Sequence, residues 1–301
     1  MTALGLGTYR CRDVAVAARV AIAAGVTAID TAPVYAHGTA HEQLARILPH
    51  HPEVRVFTKV GHMTRTQAQT ARRMGTITDQ EAARCHSISP AYIDHRIAAN
   101  IAELRRKRLD LLYLHNPEHD AHHDRARLLT QMARAFEVCE QSVHAGQITG
   151  YGIATWSGFT DGAFTVRELI SAARDAAGSS DFHLKAIQLP VSLVHIRPVA
   201  EALRSAGPVT QAAEAGLEVW ASAPLSGGEL TDMVTEDLAA RISPGSSPVV
   251  AALSVVASTP GVTGALLSAS TTAHWQDALT AFRRPPITPP HLREVCRVLR
   301  A

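Results

Sequence analysis

The sequence predicts an α/β fold, a (β/α)8 TIM barrel, and three observations carry that prediction. Eight short apolar runs recur along the chain, at 3–8, 26–30, 54–60, 109–115, 148–155, 184–190, 217–222 and 262–268. Stretches with helical periodicity separate most of them. The length, 301 residues, suits eight β/α units, which typically take about 250 residues. Strands that are apolar throughout are buried on both faces, and their alternation with helices makes them parallel. The competing architecture is an open doubly wound sheet, which usually carries GxGxxG after its first strand. Here GLGTYR follows instead, and the barrel is preferred.

The elements follow in order. After the first run, Val16, Val20, Ala23 and Ala24 fall at helical offsets and share one apolar face. The second run closes as VTAID and the third as VRVFTK. From the third run to the fourth the starts lie unusually far apart, and the excess is residues 61–89. That segment is polar and poorly periodic. It is expected to be a long loop after strand 3, lying over the rim as a lid or substrate loop. Ser89-Pro90 opens the next helix with a serine N-cap and proline at the first helical position. Ile93, Ile97, Ile101 and Leu104 give that helix one apolar face. The fourth run ends as LDLLYLH. A last helix, about 290–299, is expected to pack across the barrel. No linker rich in Gly, Ser or Pro divides the chain, so 1–301 reads as a single domain.

Composition excludes several function classes. Lys and Arg number 29 against 27 Asp and Glu, and no basic stripe with interleaved aromatics appears, so no nucleic-acid partner is expected. Arg72-Arg73 and residues 105–108 read as solvated helix faces. No run of 18 apolar residues exists, so no membrane span is expected. The N-terminus lacks a basic region followed by an apolar one, and a cytoplasmic location is expected. Cys11, Cys85, Cys139 and Cys296 form no CxxC pair and read as reduced thiols. The sixteen histidines match no HExxH or paired Cys/His spacing. His119, His122 and His123 could share one helical turn, but loop histidines are the preferred reading and no metal is expected.

In a barrel, function concentrates at the C-terminal ends of the strands. Asp30 closes the second run, Lys59 the third and His115 the fourth. Five residues after Asp30 stands Tyr35, in the loop above the barrel. A phenol titrates near pH 10, so alone it is a poor acid or base at neutral pH. A neighbouring ammonium stabilises the phenolate, and a paired aspartate keeps the ammonium charged when buried. Tyr35, Lys59 and Asp30 supply those parts. His115 can bind a substrate oxygen or relay a proton.

The stretches LGLGTYR, AIAAGVTAIDTAPVYAHGTAHEQLARIL, VFTKVG, LDLLYLHNPE, GQITGYGIATW, IQLP, LEVWASAPLSGGEL and GVTGALLSASTTAHWQDAL together resemble the aldo-keto reductase family over nearly the whole chain. The resemblance implies a catalytic tetrad of Tyr35 (general acid), Lys59, Asp30 and His115, acting with NADP(H) as the preferred cofactor and NAD(H) as the alternative. It assigns the nicotinamide to Thr155, Gln188 and Ser222 and the pyrophosphate to Pro224, Leu225 and Gly227, and it counts Gly7, Thr8 and Asp30 among the cofactor contacts. Ser268, Ser270, Thr271, His274 and Asp277 would hold the adenosine end. The family often has Ser-Asn where this chain has Ala154-Thr155, an aromatic near Ser222, and Lys or Arg near Ser270. Trp220, two residues before Ser222, and Trp275 are expected near the cofactor groove. Tyr9, Trp156, Cys85 and His86 are candidates for the substrate pocket.

The expected function is interconversion of a small-molecule aldehyde, ketone or sugar carbonyl and its alcohol. An aldose dehydrogenase forming a lactone is a variant of that reading. A nicotinamide-sensing barrel with little turnover is a reading from another class, as is a lyase or isomerase using Lys59 as a Schiff-base amine. Against the last, a lysine paired with Asp30 is held protonated.

Overall fold

Strands β1 (Ala3–Gly7), β2 (Ala28–Asp30), β3 (Arg55–Val60), β4 (Leu111–His115), β5 (Tyr151–Ala154), β6 (Leu184–Pro190), β7 (Glu218–Ser222) and β8 (Gly264–Leu267) follow one another in sequence order around a closed barrel. The computed structural model describes residues 2–120 and 124–299. His122 and His123 therefore lie outside the described residues. All eight expected strands are present, some shortened at their ends. Two compact units, Ile29–Ile187 and Met1–Ala28 with Gln188–Ala301, are described in turn.

In Ile29–Ile187, β3 and β4 pair in parallel with Lys59 opposite Tyr113, and β4 and β5 with His115 opposite Ala154. The helix Pro90–Glu103 buries Ile93 and Ile97 as its periodicity requires. It also buries Arg96 and Asn100. Asn100 Nδ2 donates to the Lys59 carbonyl at 3.2 Å. Arg96 in turn donates to Asn100 Oδ1 and Glu103 Oε2, each at 2.7 Å. Buried polar groups persist only when so satisfied. Ser89 is the N-cap by backbone position, but its hydroxyl donates to the Thr76 carbonyl at 3.3 Å instead.

The segment 61–89 is not one long loop. It contains the helices Arg65–Arg73 and Asp79–Arg84, and each opens with a capping box, Thr64 with Gln67 and Thr78 with Glu81. Reciprocal side-chain bonds satisfy the first free N–H groups and let short polar helices form. Arg106 also departs from expectation. Its guanidinium is 12% exposed and donates to the carbonyls of Leu48, His51 and Val54 at 3.2, 3.3 and 2.6 Å.

In the other unit, β1 and β7 both pair with β8. Trp220 is buried beneath Gly264, where an added Cβ would lie 2.5 Å from the indole. Only glycine admits the ring there. The helix Pro248–Ala257 buries every residue from Val250 to Val256, as its apolar sequence demands. The C-terminal helix, Pro289–Val298, lies against the helices Glu236–Ile242 and Arg197–Ala202.

Candidate active site

The ends of β2, β3 and β4 bring Asp30, Lys59 and His115 together with Tyr35. Lys59 Nζ lies 2.6 Å from Asp30 Oδ1 and 2.5 Å from Oδ2, and it donates to the Thr31 carbonyl at 3.1 Å. These partners match its three N–H groups. The pair is almost wholly buried, at 1% and 5% exposure. Burial pushes the Lys59 ammonium below its ordinary value, and Asp30 opposes that push. The ammonium sits 5.0 Å from the Tyr35 ring centroid and 5.9 Å from that of Tyr113. Tyr35 Oη and His115 Nε2 are 3.5 Å apart, their rings nearly perpendicular. The His115 imidazole is pushed well below its ordinary value, first by burial and then by the charge of Lys59. It is neutral at neutral pH.

Three further residues, not singled out by sequence reasoning, border this group. His62 meets His115 edge to face at 4.8 Å. Burial, then His86 and His119, pushes its pKa down to about 3, so its ring is neutral too. Asn116 Nδ2 lies 3.1 Å from His62 Nε2, and Asn116 Oδ1 accepts from the Trp156 N–H at 3.0 Å. Glu118 Oε1 accepts from the Thr155 hydroxyl at 2.6 Å and from the Trp156 and Ser157 N–H groups at 3.2 Å. Thr155 Oγ1 also accepts from the Gly158 N–H at 2.8 Å. Its proton is therefore committed, and only an acceptor lone pair remains for a ligand. The signal for all three lay in or beside the motifs: His62 directly follows VFTKVG, and Asn116 and Glu118 belong to LHNPE.

The candidate pocket residues divide. Tyr9 and Trp156 are exposed, at 63% and 53%. Cys85 is half-buried and lines a groove of about 470 Å³ with Arg65, Gln69 and Arg72. His86 is buried and spends its Nε2–H on the His115 carbonyl at 2.9 Å. Among the described residues, no three His, Cys, Asp or Glu side chains are placed to hold a metal ion. No described helix is long and apolar enough to cross a membrane. All four cysteines are free.

In the other unit, the Ser268 hydroxyl donates to the Gly7 carbonyl at 2.6 Å, which ties the end of β8 to the end of β1. Thr271 caps the helix Thr272–Arg283, accepting from the His274 N–H. Ser270, Thr271, Thr272 and His274 are exposed at that helix start. Exposed hydroxyls and amides at a helix N-terminus suit a phosphate group. No Lys or Arg occurs from 268 to 277. The segment 224–229 follows β7, and Arg10 reaches it through the Gly227 carbonyl at 3.5 Å and Glu229 at 3.5 Å. The Ser222 carbonyl accepts from the Val191 N–H at 3.2 Å. Gln188 is buried, and Asp277 is half-buried. Trp220 and Trp275 belong to the core, at 1% and 0% exposure. Their indole N–H groups go to Glu218 and to the Ala269 carbonyl.

Comparison with known proteins bears on the fold and the family. The model of the aldo/keto reductase family matches residues 3–298. A sequence search of curated proteins found no match. Among solved structures, a glycerol dehydrogenase from Gluconobacter oxydans is similar at TM-score 0.70 and 18% identity, over 98% of this chain and 90% of that one. An aldo/keto reductase from Klebsiella pneumoniae, in complex with NADP and acetate, is similar at TM-score 0.68 and 19% identity, over 99% and 91%. The holo form of an aldo-keto reductase from Bacillus halodurans gives TM-score 0.67 and 18% identity, over 98% and 91%. These likenesses speak to the fold, and the match across 3–298 to the lineage: the chain belongs to the aldo/keto reductase family.

Proposed function

We propose that this chain is an NAD(P)H-dependent oxidoreductase that interconverts an aldehyde, ketone or sugar carbonyl and its alcohol, with Tyr35 as general acid and base. The observation that carries the reading is the meeting of Tyr35 Oη and His115 Nε2 beside a buried Lys59 ammonium held by Asp30. A substrate oxygen hydrogen-bonds to both Oη and Nε2. In reduction the Oη proton passes to that oxygen, and in oxidation it returns. The phenolate left behind is stabilised by the ammonium 5.0 Å from its ring centre. Asp30 keeps Lys59 charged against its burial. Neutral His115 orients the oxygen without adding a second charge. A positioned acid of this kind contributes about 10²–10⁴ in rate. When bound, a nicotinamide supplies the hydride to the carbonyl carbon.

The residues present suit a dinucleotide. The resemblance assigns its carboxamide to Gln188 and to the free lone pair of Thr155, and its adenosine phosphate to Ser270, Thr271 and His274. NADP(H) is the preferred cofactor, supported by the Klebsiella pneumoniae relative in complex with NADP. Without Lys or Arg from 268 to 277, discrimination against NAD(H) is expected to be weak. The family match from 3 to 298 supports one working domain, and a cytoplasmic location is the accompanying reading.

A fluorescence titration with NADPH and NADH tests this directly, with Trp156→Phe as control, since Trp156 is the exposed indole. Saturable binding followed by NADPH consumption on adding a carbonyl supports the reductase. Binding without turnover would favour a sensor, and turnover of a free sugar to its lactone would favour the aldose dehydrogenase. No binding at millimolar concentrations would overturn the reading.

A further inference from the structure

We infer that His86, carried in by the segment 61–89, is a positioning residue that fixes the backbone of His115. The inference rests on the reading that His115 binds the substrate oxygen. The two ends of the segment run antiparallel, with His62 bridged to His86. The Met63 N–H donates to the Cys85 carbonyl at 3.0 Å and the Ser87 N–H to the Gly61 carbonyl at 3.1 Å. This short pairing sets His86 beneath the end of β4.

His86 Nε2 lies 2.9 Å from the His115 carbonyl oxygen. A carbonyl only accepts, so Nε2 carries the proton and Nδ1 faces the other way. There Asp120 Oδ1 stands 3.5 Å away, and Arg84 Nη2 is 3.3 Å from the same oxygen. Asp120 and His86 are buried, at 1% and 2% exposure. The ring is thus held through its donor to the His115 carbonyl, while the buried Nδ1 makes no hydrogen bond. Arg84, from the helix Asp79–Arg84, joins from the same segment.

The His115 backbone needs such support. Asn116 adopts φ 49, a left-handed turn that asparagine tolerates and that breaks the strand directly after His115. The strand ends at this point, and a buried carbonyl there requires a donor. Space is close as well. Gly61 has φ +147, and a Cβ on it would lie 2.6 Å from the His115 carbonyl oxygen and 3.0 Å from His86 Nε2. Glycine lets the three groups meet. At 3.5 Å the Tyr35–His115 contact is already long for a hydrogen bond. A small displacement of His115 therefore separates the two groups that grip the substrate oxygen. The segment's return end acts as a buttress behind the site.

His86→Leu keeps the bulk and removes the donor, whereas His86→Gln keeps an N–H donor. With NADPH and 4-nitrobenzaldehyde, His86→Leu is expected to lower kcat about 10–100-fold. KM for the aldehyde and Kd for NADPH should stay within about 3-fold, and His86→Gln should restore most of kcat. Loss in both variants alike, or a change in KM alone, would overturn the inference. Histidine ring NMR, with His115 signals assigned through His115→Asn, gives a readout without turnover. His115 signals should move in His86→Leu and return in His86→Gln. Unmoved signals in His86→Leu would sink the inference whether or not the protein reduces carbonyls. Failure of the wild type to bind NADPH would sink the reductase reading and leave this comparison standing. Should His86→Leu not fold, His86→Phe removes the same donor while keeping an aromatic ring in the space. It should move the His115 signals in the same direction, and unmoved signals would again overturn the inference.

Discussion

Asp30→Asn should uncouple the Lys59 charge from the carboxylate that pairs with it. At 2.6 Å the gross attraction is about 6 kcal/mol for an effective dielectric near 20. Much of that offsets the burial of both ions. Removing one partner of a buried pair costs about 3–5 kcal/mol, because the other charge is left uncompensated. With an m-value of about 3 kcal/mol/M for urea, the unfolding midpoint should fall by about 1 M or more at pH 7. The pH dependence has a definite sign. Without Asp30, burial of Lys59 acts unopposed and its folded pKa falls further below the ordinary 10.5. The unfolded variant then binds the proton that the folded variant has released. Its stability therefore rises with pH across the window between the folded and unfolded values. Wild-type stability changes less there, so the gap between the two proteins narrows as pH rises. Urea titrations at pH 7 and pH 9 read both effects. A midpoint within about 0.2 M of wild type, or a gap that widens at alkaline pH, would refute the reasoning.

Other consequences follow from the same contacts. Arg106→Ala removes donors to three carbonyls and should cost about 2–4 kcal/mol in a urea titration; a loss under about 0.5 kcal/mol would return Arg106 to the solvated face. His62 and His115 are held neutral, with His62 down at about 3 and His115 well below 6.5. Stability should therefore decline as pH drops below 6.5, where the unfolded histidines take up protons; His62→Asn should make that decline shallower, and an unchanged slope would contradict the assignment. Burial pushes the Cys11 thiol up to about 11 and that of Cys139 higher still, so an aromatic disulfide reagent should find Cys85 first. Loss of the fast phase in Cys85→Ser checks this, and persistence of the phase would count against it.

The strands were legible because burial on both faces leaves continuous apolar runs, as in VRVFTK and LDLLYLH. The Asp30, Tyr35, Lys59 and His115 group was legible because strand ends put unlike polar residues after those runs. Other features depend on tertiary contacts that composition does not encode. Arg106 reads as a solvated cation until three carbonyls from residues 48–54 surround it. Trp220 reads as a groove aromatic until Gly264 is seen to admit its ring into the core. The helices Arg65–Arg73 and Asp79–Arg84 were hidden by low hydrophobicity, though T-x-x-Q at Thr64 and T-x-x-E at Thr78 announce their starts. His86 reads as a candidate pocket residue, since nothing local reveals that the segment 61–89 returns to the end of β4.

The central claim is that Tyr35 moves the proton in a nicotinamide-dependent interconversion of carbonyl and alcohol. The most direct measurement compares wild type with Tyr35→Phe, following NADPH absorbance in the presence of a carbonyl and NADPH affinity by fluorescence. Turnover should fall about 10²–10⁴-fold while NADPH affinity changes less than about 3-fold, a free-energy difference below about 0.7 kcal/mol. Near wild-type turnover in Tyr35→Phe would show that the proton comes from elsewhere and would contradict the account.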